Sequence, residues 1–191
     1  MIGDWLQIAA TILQALSIAL TAWFAILGLS AWRRQLVGKR KFEAAEEILL
    51  ITYKLQRGLT FVRNPLVLGG EGSEARDSQG APLERMQKMV DDLAAFSRAR
   101  LLAQVFFGPG SVAPFDAIFD VYNEVALAAT MLLMSLREPI PEDEGDRKEE
   151  ISRRAKWRLT IWGPAGSDAL VERVEAAVKQ IEGLCRPAIR D

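Results

Sequence analysis

Three carboxylates, Asp116, Asp120 and Glu124, stand at i, i+4 and i+8 in this 191-residue chain, a spacing that lines them up on one face of a helix. Facing carboxylates on a second helix, such a row would hold a divalent cation, and the di-metal helical bundles add histidines to it. The chain has no histidine. That also removes Ser-His and Cys-His nucleophiles and the commonest general base at neutral pH. The row therefore reads as a solvated face, or as ion-pair partners for Arg98, Arg100 or Arg153. Gly69, Gly70 and Gly72 suggest a phosphate-cradling loop, but no Lys-Ser or Lys-Thr follows and no buried strand precedes, while Glu71 and Glu74 would repel a phosphate. Cys185, the single cysteine, has no base to activate it and makes no intramolecular disulfide; it reads as a small core residue in a reducing compartment. No catalytic residue, cofactor or metal is assigned, and the chain is expected not to be an enzyme.

The chemistry that remains belongs to the membrane. Ile8 to Leu29 holds no charged residue and lies between Trp5 and Trp32. At a rise of ~1.5 Å per residue its length is roughly 33 Å, enough to cross a hydrocarbon core of ~30 Å. A cleaved signal would show a basic leader, a shorter core and a small-x-small cleavage site, and a buried soluble helix would not need such length. The stretch reads as an uncleaved transmembrane helix. Arg33, Arg34, Lys39, Arg40 and Lys41 follow it directly, which predicts an N-terminus outside and a C-terminal domain in the cytoplasm. The same five cations are candidate contacts for anionic lipid headgroups, each worth on the order of 1 kcal/mol near an anionic leaflet.

Within the span, Gln7, Thr11, Gln14, Ser17, Thr21 and Gly28 share about a third of the helix circumference at ~100° per residue, with Leu13, Leu16, Leu20, Phe24 and Leu27 on much of the rest. Amides and hydroxyls are costly against lipid, so this stripe is expected to pack on another helix, most simply a second copy of the chain. The alternative is a homo-oligomeric ion channel with Gln14 and Thr21 lining its pore.

These residues need helices to carry them. From Arg33 to Asn64 no proline interrupts, and Phe42, Ala45, Ile48, Leu49, Thr52, Leu55, Leu59 and Val62 recur at helical spacing, predicting a long juxtamembrane helix ended by Pro65. Residues 65–82 form a Gly-rich loop. Pro82 then opens a helix to about Phe107, stopped by Gly108-Pro109-Gly110. Ser111 is placed to cap a helix to about Arg137, in which VALAATMLLMSL is too short a run to be a second span and reads as core. An acidic linker precedes a basic helix ending at Trp162, where Arg153, Arg154, Lys156 and Arg158 beside Trp157 and Trp162 suggest a membrane-surface or nucleic-acid patch. The simpler reading turns Ile151, Trp157 or Ile161 inward and leaves the cations solvated. Ser167 or Asp168 caps the last helix, whose apolar stripe runs from Leu170 to Leu184.

Lys and Arg number 24 against 25 Asp and Glu, a balance that excludes an electrostatically driven nucleic-acid partner. The organisation expected is all-α: an anchor (1–32), a juxtamembrane helix (33–64), the loop (65–82) and a cytosolic antiparallel helical bundle (83–191) that packs with 42–63. The order of WRRQLVGKRKFEAAEEIL, VRNP, a GGEG loop, FGP, IW and VERVEAAVKQIEGLCRP resembles a group of bacterial single-pass membrane-anchored helical proteins. The resemblance implies a bacterial inner-membrane setting and brings no activity with it. The function expected is that of a self-associating scaffold or sensor-like interaction protein whose partners are membrane lipids and further copies of itself, with no small-molecule ligand assigned.

Overall fold

Ile2 to Val62 form one helix, α1, because no proline falls within it and its one stop signal, Asn64-Pro65, comes just past its end. In this computed structural model the described residues are 2–65, 75–164 and 168–190, with the side chains of 2–12, 15, 30, 31, 34 and 75–79 outside that description. The remaining helices are α2 (Ala75–Gln87), α3 (Val90–Phe107), α4 (Ala113–Ser135), α5 (Glu144–Trp162) and α6 (Ala169–Arg190), with a 3₁₀ turn at Pro109–Ser111. The described residues contain no strand. By its contacts the chain divides into Met1–Glu43 and Ala44–Asp191.

The larger unit is a helical bundle. Ile48, Leu55, Leu59 and Val62 of α1 join Met86 and Met89, Phe96 and Ala99 of α3, Phe115, Ile118, Val121 and Val125 of α4, and Val174, Val178, Ile181 and Cys185 of α6 in one core. Phe96 lies at its centre, its ring centroid 5.2 Å from those of both Phe115 and Phe119. Thr52 is fully buried there at no cost in unpaired hydroxyl, since its Oγ1 donates to the carbonyl of Ile48 at 2.7 Å. A smaller cluster of Ala128, Ala129, Leu132 and Ile161, covered by Leu83, Leu136, Trp157 and Trp162, fastens α5 to the second half of α4.

Several local expectations change. The helix expected to open at Pro82 begins at Ala75, and Pro82 lies inside it, buried with its neighbours Ala81, Arg85 and Met86. A turn at Lys88 and Met89 separates α2 from α3, where one helix was expected. Ser111 does not cap α4: its Oγ donates back to the Gly108 carbonyl, and Val112 precedes the helix without a side-chain cap. Asp143 caps α5, accepting from Gly145 N at 2.9 Å, and Asp168 caps α6, accepting from Leu170 N at 3.0 Å. Ile151, expected as one of the inward residues of α5, is exposed, because Glu150 occupies the inward position one residue earlier; Ile161 is buried and Trp157 half-buried.

Candidate functional site

In the unit Met1–Glu43, Gln14, Ser17, Thr21 and Gly28 lie exposed on α1. Gln7 and Thr11 belong to the same helix, but their side chains lie outside the described residues. The hydroxyls turn out to be satisfied locally: Ser17 Oγ donates to the Leu13 carbonyl and Thr21 Oγ1 to the Ser17 carbonyl, both at 2.8 Å. A hydroxyl bonded to its own helix asks little of a neighbour. Gln14 differs, because a primary amide brings two donors and an acceptor to a backbone whose groups are already paired. A shallow groove lined by Ser17, Ile18, Thr21, Ala22 and Ala25 runs along this face. Around it Leu13, Leu16, Leu20, Trp23, Phe24 and Leu27 are between 47% and 69% exposed.

Of the five cations after the span, Arg33, Lys39 and Arg40 are exposed and Lys41 is half-buried, while the side chain of Arg34 lies outside the described residues. Lys39 Nζ sits 3.9 Å from Glu43, an exposed i, i+4 pair that leaves the charge accessible.

In the bundle, the most ordered polar chemistry is one the sequence did not announce. α1, α4 and α5 carry no basic residue in their own last turns. Each instead receives an arginine from elsewhere. Arg85 of α2 is buried, with Nη1 donating to the carbonyls of Phe61 (3.0 Å) and Asn64 (2.8 Å) at the end of α1, and its guanidinium lies 4.6 Å from the Phe61 ring centroid. Arg154 of α5 donates to the Ser135 and Glu138 carbonyls past the end of α4. Arg63 donates to the Thr160 and Ile161 carbonyls at the end of α5, both at 3.2 Å, and pairs with Asp168, the cap of α6, at 2.8 Å. Each guanidinium donates to carbonyls where a helix ends, two of which, those of Phe61 and Ser135, also accept a backbone N–H, and its charge faces the negative end of the helix dipole.

Arg63 and Asp168 also floor a cleft of about 410 Å³ walled by Leu59, Val121, Trp162 and Val174. Both charges are committed to each other and to helix ends. The cleft is flanked in sequence by residues 66–74 and 165–167, which are outside the described residues, as is the Gly69-Gly70-Gly72 loop.

The acidic row is brought to ion pairs. Arg100 grips Asp116 through two bonds of 2.7 and 3.2 Å, Arg173 meets Glu124 at 2.9 Å, and Asp120 is exposed. Arg98 and Arg153 go elsewhere, to Glu47 and Glu150. Among the described residues no cluster of His, Cys, Asp or Glu is placed to hold a metal. Burial pushes the Cys185 thiol up to about 11, far from a reactive thiolate. By length and composition one helical stretch of the described residues, Pro109–Ser135, could cross a membrane; Leu16–Leu29 is a shorter apolar one. Pro109–Ser135 turns Phe115, Ile118, Val121, Val125 and Leu132 into the bundle cores and carries the paired Asp116 and Glu124, which makes it a core helix. No protein-family model matches the chain, and comparison with curated proteins and with solved structures finds no significant match.

Proposed function

We propose that this chain is a non-enzymatic, membrane-anchored scaffold or sensor-like interaction protein that self-associates through the Gln14 face of α1. The supporting observation is the uncovered apolar surface from Leu13 to Leu29. A large apolar side chain left wholly in water forgoes roughly 1.5–3 kcal/mol, so nine of them in one short stretch, each about half to two-thirds exposed, forgo on the order of 10 kcal/mol, comparable to the whole stability of a domain. A bilayer removes that cost, and Ile8 to Leu29 has the length to span one. The cations after the span favour the bundle in the cytoplasm, and a bacterial inner membrane is the setting that the resemblance implies.

Self-association follows from spacing. Gln7, Thr11, Gln14, Ile18, Thr21, Ala25 and Gly28 recur at alternating steps of four and three, the period of a left-handed helix pair. Gln14 lies near the middle of the span, where an unpaired amide costs most. In lipid nanodiscs, cross-linking of the full chain should trap an oligomer. Gln14→Leu should weaken it by ~0.5–2 kcal/mol per helix contact with insertion unchanged, and Leu16→Ala should change little. A monomeric wild type, or an oligomer sensitive to Leu16 and not to Gln14, overturns the self-association. Ion flux through an intact oligomer that disappears on Thr21→Leu would instead favour the channel.

A further inference from the structure

The outward face of α5 fits the surface of an anionic bilayer. Ile151, Ala155 and Leu159 follow one another at i, i+4 and i+8, and Ile151 is 50% and Leu159 55% exposed. At ~100° per residue Lys156 lies to one side of this row and Arg158 to the other. Both are exposed. Arg153 and Arg154 are already bound to Glu150, and no acidic residue occurs between Ile151 and Trp162. An apolar row bordered by cations matches the boundary between headgroups and acyl chains, with the apolar side chains below and the cations at the phosphates. A nucleic-acid duplex offers phosphates with its base faces stacked away, and leaves Ile151 and Leu159 in water.

We propose that this face of α5 docks on the anionic leaflet next to which the N-terminal span holds the bundle. The proposal rests on the anchored reading, because a tether raises the local concentration of lipid and lets a weak face engage. The cytoplasmic leaflet carries a negative surface potential, and the orientation expected from Arg33 to Lys41 places α5 on that side.

The test uses the full chain in vesicles with an environment-sensitive fluorophore on Ser152→Cys, an exposed position beside the row. Buried Cys185, its thiol raised to about 11, takes no label during brief treatment at neutral pH. In vesicles containing phosphatidylglycerol the emission should shift to the blue relative to pure phosphatidylcholine. The shift should be lost on Lys156→Glu with Arg158→Glu, reduced by Leu159→Ser, and reversed in ~1 M salt, where the screening length falls to ~3 Å. These three positions are exposed, and circular dichroism checks that each variant keeps its helices. Equal emission in the two lipids overturns the docking, as does a blue shift that grows with protein density and survives charge reversal, which would mark a second copy on this face. Flotation of the same samples reports the anchor separately: a chain that does not float refutes the anchored reading, and one that floats without the shift refutes only the docking.

Discussion

Gly163 is the residue on which the end of α5 and the start of α6 both depend. Its φ of +76° with ψ of 161° belongs to a region that only glycine occupies comfortably, and a Cβ added there would collide with Oδ2 of Asp168. That carboxylate caps α6 and holds Arg63, which in turn holds the α5 carbonyls. Gly163→Ala should therefore cost more than its backbone strain of on the order of 1–3 kcal/mol, because the collision also displaces the Arg63 pair. Thermal unfolding of Gly163→Ala beside Gly183→Ala, whose added Cβ meets nothing within 4 Å, separates that cost from a general loss of glycine. A melting temperature for Gly163→Ala no lower than that of Gly183→Ala would mean the junction is not held this way. On α1 the hydroxyls of Ser17 and Thr21 are satisfied by the Leu13 and Ser17 carbonyls, so in the proposed self-association the demand for a partner falls on Gln14.

At the scale of elements, the helices were legible in the sequence and their fastenings were not. Leu170, Val174, Ala177, Val178 and Ile181 are buried as their 3.6-residue period requires, and Ile48, Leu55, Leu59 and Val62 likewise, whereas Val171 and Phe42, expected in the same stripes, are exposed. Period says nothing about the arginines that end α1, α4 and α5, since these bonds join residues 24, 19 and 97 positions apart. Ser111 misled for a related reason: a serine before a helix can cap it or close the preceding turn, and only the fold decides. The polar residues Gln14, Ser17, Thr21 and Gly28 lie exposed on α1, and the bonding of the Ser17 and Thr21 hydroxyls to their own helix could not be read from their spacing. The fastenings also set the response to acid. Hydrogen bonds from Arg154 and then Arg153 hold the Glu150 carboxyl below its ordinary value, and those from Tyr53 and then Arg186 do the same for Glu182, which ties α6 to α1. A depressed folded value means the contribution is present above the ordinary 4.5 and disappears as pH falls through the folded values. Melting temperature should therefore fall as pH drops below 4.5, and Glu150→Gln should lower the neutral-pH value while flattening part of that fall. An unchanged slope in Glu150→Gln would remove Glu150 from the acid response.

For the whole molecule, the proposed anchor has a rival for the bilayer in a second apolar stretch, and charge favours the anchor. Pro109–Ser135 is long and apolar enough, yet insertion would strip Asp116 from Arg100 and Glu124 from Arg173 and empty the core around Phe96. A carboxylate at the centre of a membrane helix costs ~2.5–3.5 kcal/mol even on the most lenient scale, before the lost core is counted. Ile8 to Leu29 carries no such charge. The orientation it implies can be tested, although Cys185 is the wrong reporter: it is buried, so silence toward a thiol reagent would report burial and not sidedness. Gln180 is exposed on the same helix, α6. In intact cells a membrane-impermeant maleimide should label Gly3→Cys, and should label Gln180→Cys only after permeabilisation. The reverse pattern would invert the topology and place the α5 face on the outer side. Labelling of both positions only after permeabilisation, together with loss of the protein from the membrane fraction, would remove the anchor and return the apolar surface of Leu13 to Leu29 to a protein partner.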